Sequence, residues 1–135
     1  DLTFENKNIS RKNIIDMQRK KTGKLFGFCC ESIAIIREEN IKKRNLLREI
    51  GISIGLLFQI VDDLIDYKGD SKIVGKKTNK DKQKGKATLI KLFGYNKTIN
   101  FASNLKNRII YQIKKYGFNA KDLIDSVEFI MERKF

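Results

Sequence analysis

Gly55-Leu-Leu-Phe-Gln-Ile-Val-Asp-Asp-Leu-Ile-Asp66 sets three carboxylates and an amide inside an otherwise apolar run with no helix breaker from Leu56 to Tyr67. On a helix of 3.6 residues per turn, Gln59, Asp62, Asp63 and Asp66 share an arc of about 100°. Leu57, Ile60, Val61, Leu64 and Ile65 take the opposite side. A compact acidic stripe thus lies on a helix whose remaining surface favours burial.

Such a stripe is costly alone. Acids one turn apart repel each other, the more so in low-dielectric surroundings. Buried charges are normally paired or coordinate metals. Three oxygen donors and a chain without histidine suit a hard cation such as Mg2+. A solvated acidic face on an amphipathic helix is the competing explanation.

Outward from the stripe, the 135 residues amount to one domain with enough chain for a real core. Proline is absent, glycine is sparse and apolar residues recur at helical spacing, so an all-α fold is expected. No run of 18 apolar residues is present, and no membrane span is expected. The first residue is Asp1 rather than methionine, so an upstream targeting signal would lie outside this sequence. The net charge of +13 points to an anionic partner (phosphates, nucleic acid or an acidic membrane surface) or to lysine-rich composition alone. Cys29 and Cys30 are adjacent, which disfavours a bridge between them, and neither C-x-x-C nor histidine offers a zinc site. Both are expected as buried core thiols in a reducing, cytoplasmic compartment.

Residues 1–9 are polar and expected to be irregular. Ser10 is a plausible N-cap for a helix running toward Arg37, with Leu25, Cys29, Ile33 and Ile36 on its apolar face and a bend near Gly23 or Gly27. A short connection within Arg37–Arg44 leads to a second long helix from about Ile41 to Tyr67. Lys68–Gly85 is a long lysine-rich, non-periodic segment, and loops of this length are often functional. A short helix is expected over Ala87–Phe93, ended by Gly94. Another runs from about Asn96 to Tyr116, with Ala102, Leu105, Ile109, Ile113 and Tyr116 on one face, and Gly117 stops it. Asn119 can cap a last helix buried through Leu123, Val127, Ile130 and Met131.

Two lysine elements flank the stripe. Downstream, Lys76 follows Gly75 and Lys86 follows Gly85. Glycine permits close backbone approach, and lysine supplies a point charge for phosphate oxygens. Upstream, Lys21-Thr22-Gly23 combines a cation, a hydroxyl and a glycine. Mg2+ often bridges one or two carboxylates to substrate phosphates. Carboxylates followed by Gly-Lys pairs therefore follow the logic of a metal–diphosphate site, whereas solvated surface lysines are the plain alternative. Without histidine there is no Ser/His/Asp or Cys/His nucleophile system, and neither Walker nor G-x-G-x-x-G loops occur.

Phe58-Gln59-Ile-Val-Asp62-Asp63-Leu-Ile-Asp66 resembles the second aspartate-rich motif of trans-isoprenyl diphosphate synthases, the farnesyl and geranylgeranyl diphosphate synthase group. Lys21-Thr22-Gly23-Lys-Leu resembles the family's K-T-G-x-L element. Gly69-Asp70, Gly75-Lys76, Asp81 and Gly85-Lys86-Ala-Thr88 resemble its downstream loop, in order, and Phe129-Ile-Met-Glu-Arg-Lys its C-terminal helix. The resemblance spans essentially the whole chain. Asn79 stands where a glycine is usual, and Thr88-Leu89-Ile90 where Thr-Tyr-Pro is common.

The resemblance implies an all-α bundle of the isoprenoid synthase type around a central cavity, of which residues 1–135 are the C-terminal half. It implies a prenyltransferase that joins isopentenyl diphosphate to an allylic diphosphate (dimethylallyl or geranyl), giving a short-chain product such as farnesyl or geranylgeranyl diphosphate. Asp62, with Asp63 and Asp66, would hold Mg2+. Lys21 and Lys76 would contact phosphate oxygens and, with Asp62, form the catalytic set. Thr22, Phe58 and Gln59 would lie beside the reacting chain, and Lys86 would add positive charge nearby. A homodimer is implied for the complete protein. The first aspartate-rich motif and its arginines have no counterpart, and Asp1-Leu2 looks like the end of the family's G-Q-x-x-D element. The isolated chain is therefore expected to be inactive. A non-catalytic synthase-like subunit is one alternative. A basic nucleic-acid-binding module is another, disfavoured because the lysines are scattered over every segment.

Overall fold

A computed structural model of the chain describes residues 10–73, with side chains to residue 69, and residues 88–133. Every element among them is helical, as expected of an all-α fold. Ser10, extended at φ −71° and ψ 157°, accepts a hydrogen bond from the Asn13 N–H and opens α1, Arg11–Gln18. One π-helical turn, Arg19–Gly23, joins α1 to α2, Lys24–Ile36. This turn takes the place of the bend expected near Gly23. Glu38, at φ 54°, reverses the chain, and the Asn40 side chain accepts the Lys43 N–H at the start of α3, Ile41–Ile73.

Helix α3 is the central element. Its Ile50, Ile54, Leu56, Leu57, Ile60, Val61 and Leu64 are buried, each worth about 1.5–3 kcal/mol when fully removed from water. It extends to Ile73, so residues 68–73, expected in the lysine-rich loop, continue the helix instead. Thr88 caps α4, Leu89–Phe93, accepting the Lys91 N–H, and Gly94 at φ 87° links it to α5, Tyr95–Lys114. Gly117 at φ 69° opens a 3-10 turn, Gly117–Ala120, before α6, Lys121–Glu132. Asn119 lies inside that turn and Ala120 takes the cap position without a side-chain bond, so the expected Asn119 cap does not form. Leu105, Ile109 and Ile113 of α5 and Val127 and Ile130 of α6 complete a core laid across α3. Tyr116, expected on the same buried face, lies beyond α5 and is exposed.

Helices α2 and α3 form an antiparallel hairpin built on glycine. A Cβ at Gly55 would come within 2.7 Å of the Gly23 Cα, and one at Gly27 within 2.7 Å of the Ile52 side chain. A Cβ at Gly51 would fall onto the Phe26 carbonyl oxygen. Two glycine pairs at i, i+4 thus let the backbones meet where no side chain could fit.

This contact overturns the expected face of α2. Gly23, Gly27 and Ala34 are the buried positions, whereas Leu25 is 66% exposed, Ile33 60% and Ile36 81%. Cys29 is exposed as well, and Cys30 is half-buried, so neither is a core thiol; burial raises the Cys30 thiol pKa above its ordinary value, helped by Cys29 beside it. Helix α2 is apolar almost all round, and its periodicity could not reveal that the small residues, not the large ones, seek the neighbour. Among the described residues, no helix is long and apolar enough to cross a membrane.

Candidate functional site

The π turn and α3 face each other where the glycines bring them together. Pi-helical turns inside α-helices frequently mark functional positions, because the widened turn redirects its side chains. Here it carries Lys21, which is exposed, and Thr22, which is half-buried. The Thr22 hydroxyl donates to the Gln59 side-chain oxygen at 3.1 Å. The Gln59 amide donates in turn to Asp63 Oδ1 at 3.1 Å, and the Gln18 amide donates to Asp63 Oδ2 at 2.7 Å. Gln18 and Thr22 are one turn apart on one element, Asp63 and Gln59 one turn apart on the other. Together they make a ladder between α1 with its π turn and α3.

Gln18 is 2% exposed. Its side-chain oxygen meets no partner among the described residues. A buried acceptor left unsatisfied costs about 1–3 kcal/mol, so this residue is held at a cost.

Asp62 faces elsewhere. Arg133, just beyond α6, donates through Nη1 to Asp62 Oδ1 at 2.6 Å and through Nη2 to the Phe58 carbonyl oxygen at 3.2 Å. Its guanidinium carbon lies 4.3 Å from the Phe58 ring centroid, within cation–π range. The same ring packs on Phe26, with centroids 5.7 Å apart. Phe26 and Phe58 line an open, largely apolar groove of about 480 Å3 with Asp125, Ser126, Phe129 and Ile130. Asp66 is exposed one turn beyond Asp62.

The structure therefore brings Thr22, Gln59 and Asp63 into one network and places Phe58 beside Asp62. It does not gather the three aspartates around one point, and among the described residues no group of three or more carboxylate, thiol or imidazole side chains is arranged to hold a metal ion. The donor chemistry still fits a hard cation. Asp62 and Asp66 offer oxygen only, and Mg2+ commonly takes one or two carboxylates and completes its shell with water and phosphate oxygens. Lys76 and Lys86, with Gly75, Asp81 and Gly85, lie outside the described residues.

Gln18 lies in none of the motifs, and Arg133 lies within the C-terminal stretch Phe129-Ile-Met-Glu-Arg-Lys but not at a position the sequence marks for a role. Gln18 precedes Thr22 by one turn, which could have flagged it, but it borders the charge run Arg19-Lys20-Lys21. Nothing local to Arg133 signals a contact with an aspartate 71 positions earlier.

A family model described as polyprenyl synthetase matches residues 1–124. A short chain isoprenyl diphosphate synthase of Methanocaldococcus jannaschii is 32% identical over 130 residues, covering 96% of this chain and 39% of the relative. A farnesyl diphosphate synthase of Haemophilus influenzae is 31% identical over 140 residues, covering 99% of this chain and 46% of the relative. Among solved structures, a synthase from Zymomonas mobilis described as an FPP/GFPP synthase superposes with a TM-score of 0.78 at 33% identity, over 96% of this chain and 41% of that one. The chain thus spans less than half the length of each of these proteins.

Proposed function

Because this chain belongs to the polyprenyl synthetase family, we propose that the protein carrying it is a prenyltransferase that couples isopentenyl diphosphate to an allylic diphosphate and releases inorganic diphosphate. The observation that carries this reading is the meeting of the Lys21-Thr22 turn with the Gln59–Asp66 stripe, bridged by the Thr22–Gln59 hydrogen bond. The hydroxyl, the amide and Asp63 are joined in one hydrogen-bonded network, with Lys21 on the same turn as Thr22.

Ionising an allylic diphosphate separates an allyl cation from a multiply charged leaving group. Asp62 and Asp66 are the residues that would hold Mg2+, with Asp63 anchoring the helix face between them. When bound, that ion supplies Lewis-acid neutralisation of the departing diphosphate. Lys21, Lys76 and Lys86 would bring positive charge to the phosphate oxygens and stabilise the negative charge that develops there. The Thr22 hydroxyl proton is committed to Gln59, which leaves its oxygen as an acceptor with no proton to offer a phosphate oxygen. Phe58, one turn before Asp62, would help keep water from the cation. The leaving diphosphate takes up the proton lost after coupling, so no histidine is required. Short-chain products such as farnesyl or geranylgeranyl diphosphate are proposed on the relatives' likeness.

The test is an incubation of the complete protein with Mg2+, dimethylallyl diphosphate and isopentenyl diphosphate. Longer prenyl diphosphates and stoichiometric inorganic diphosphate are expected. The 135-residue chain alone should give none, since the family's first aspartate-rich motif has no counterpart among its residues. No turnover by the complete protein, or turnover by the chain alone, contradicts the respective claim.

A further inference from the structure

We propose that Gln18 is a positioning residue for prenyl transfer, acting through Asp63 on Gln59 and Thr22. The inference rests on the prenyltransferase reading and extends it to a residue outside the aspartate motif and the Lys-Thr-Gly turn.

Gln18 is almost wholly buried, in a place where an apolar side chain would pack without polar cost. What its amide does there is specific. Its N–H group holds Asp63 Oδ2 at 2.7 Å, while the Gln59 amide holds Oδ1 at 3.1 Å. Both carboxylate oxygens are thereby engaged by amide donors, and charge-assisted bonds of this kind are about twice as strong as neutral ones. Asp63 is fixed in rotation and turned toward α1 rather than toward the Asp62–Asp66 edge.

The polarity of the ladder follows from the carboxylate, which only accepts. Gln59 must therefore present its NH2 to Asp63 and its oxygen to Thr22, and the Thr22 hydroxyl must donate to that oxygen. Without Gln18, Asp63 loses the donor that holds its Oδ2, and the orientation in which it receives the Gln59 amide, and through it the Thr22 hydroxyl, is less sharply set. Gln18 thus helps position a hydroxyl three hydrogen bonds away.

The test uses three variants of the complete protein. Gln18→Met keeps the volume and removes the donor. Gln18→Glu sets a carboxylate against Asp63. The pair Gln18→Glu with Asp63→Asn reverses donor and acceptor at the same charge, so that the new amide at position 63 serves both neighbours. Both single variants should lose about ten- to a hundredfold in kcat, the scale of a small misplacement at a reacting centre, with KM for the diphosphates nearly unchanged. The double variant should return to within a few-fold of the parent. A Gln18→Met protein as active as the parent overturns the proposal, and so does a double variant no better than Gln18→Glu, because Asp63 would then act by its own charge.

A readout that does not depend on turnover separates this proposal from the functional one. The side-chain NH2 resonances of Gln59 should shift in Gln18→Met and return toward the parent position in the double variant. Unmoved resonances overturn the positioning role even in an active enzyme. Shifted resonances in a protein that never turns over uphold the ladder and reject prenyl transfer.

Discussion

Replacing Arg133 by methionine should destabilise the protein and, at the same time, tighten its hold on a divalent cation. Arg133 ties the end of α6 to the middle of α3 through Asp62, the Phe58 carbonyl and the Phe58 ring. The ion pair is part-exposed, with the Arg133 side chain 21% and the Asp62 side chain 37% accessible, so it contributes about 1 kcal/mol at most. The bond to the Phe58 carbonyl adds about 1 kcal/mol and the cation–π contact about 0.5 kcal/mol. Methionine retains the apolar stem that covers Phe58. The net loss is about 2 kcal/mol, a fall in Tm of about 6–10 °C for a domain of this size. Lysine at position 133 should recover only part of it, because an ammonium lacks the planar fork that reaches both oxygens. Thermal and urea unfolding followed by circular dichroism measure this, and 0.5 M salt should shrink the difference. Freeing Asp62 from its internal cation should also strengthen Mn2+ binding, read by electron paramagnetic resonance, by about fivefold for about 1 kcal/mol of released pairing. A variant as stable as the parent would refute the clamp, and weaker Mn2+ binding would refute the competition between guanidinium and metal.

Further outcomes follow from the same structure. Asp62→Ala in the complete protein should lower kcat on the order of 100-fold or more, as expected for a group that stabilises developing charge; a loss of only a few-fold would remove Asp62 from the ligand set. Gly51→Ala should be destabilising by about 2 kcal/mol in urea titration, because the clash of its Cβ with the Phe26 carbonyl outweighs the roughly 1 kcal/mol that alanine gains over glycine in a helix. Cys29 is exposed, whereas the Cys30 thiol is raised by burial, so iodoacetamide near pH 8 should label Cys29 first, and mass spectrometry of partial reactions should find it there. Leu25, Phe28, Ile33 and Ile36 present an apolar face of the kind that binds hydrophobic dyes, and Leu25→Glu with Ile33→Glu should reduce dye fluorescence of the isolated chain at little cost in stability.

Much of the helix pattern was legible because its signals are local. Ser10 caps α1, Gly94 ends α4 at positive φ, and Leu57, Ile60, Val61 and Leu64 are buried opposite the acids. The differences have separate local causes. At Leu25, Ile33 and Ile36 the period correctly announced a helix but not its rotation about its own axis, because α2 carries two apolar faces and close backbone approach selected the one made of Gly23, Gly27 and Ala34. At Asn119 a cap residue was present, but the 3-10 turn moved the helix start past it.

The candidate site divides along the same line. Residue types and spacing along one helix suffice to place Gln59, Asp62, Asp63 and Asp66 on one face, and with Lys21-Thr22-Gly23 they point to the family. Spacing alone treats the three aspartates as equivalent. The tertiary structure separates them, because their neighbours come from elsewhere in the chain: Gln18, 45 positions earlier, takes one oxygen of Asp63, and Arg133, 71 positions later, takes Asp62. A helix determines which side chains share a face, but only the elements packed against that face determine which charge is anchored, which is neutralised and which stays open to solvent.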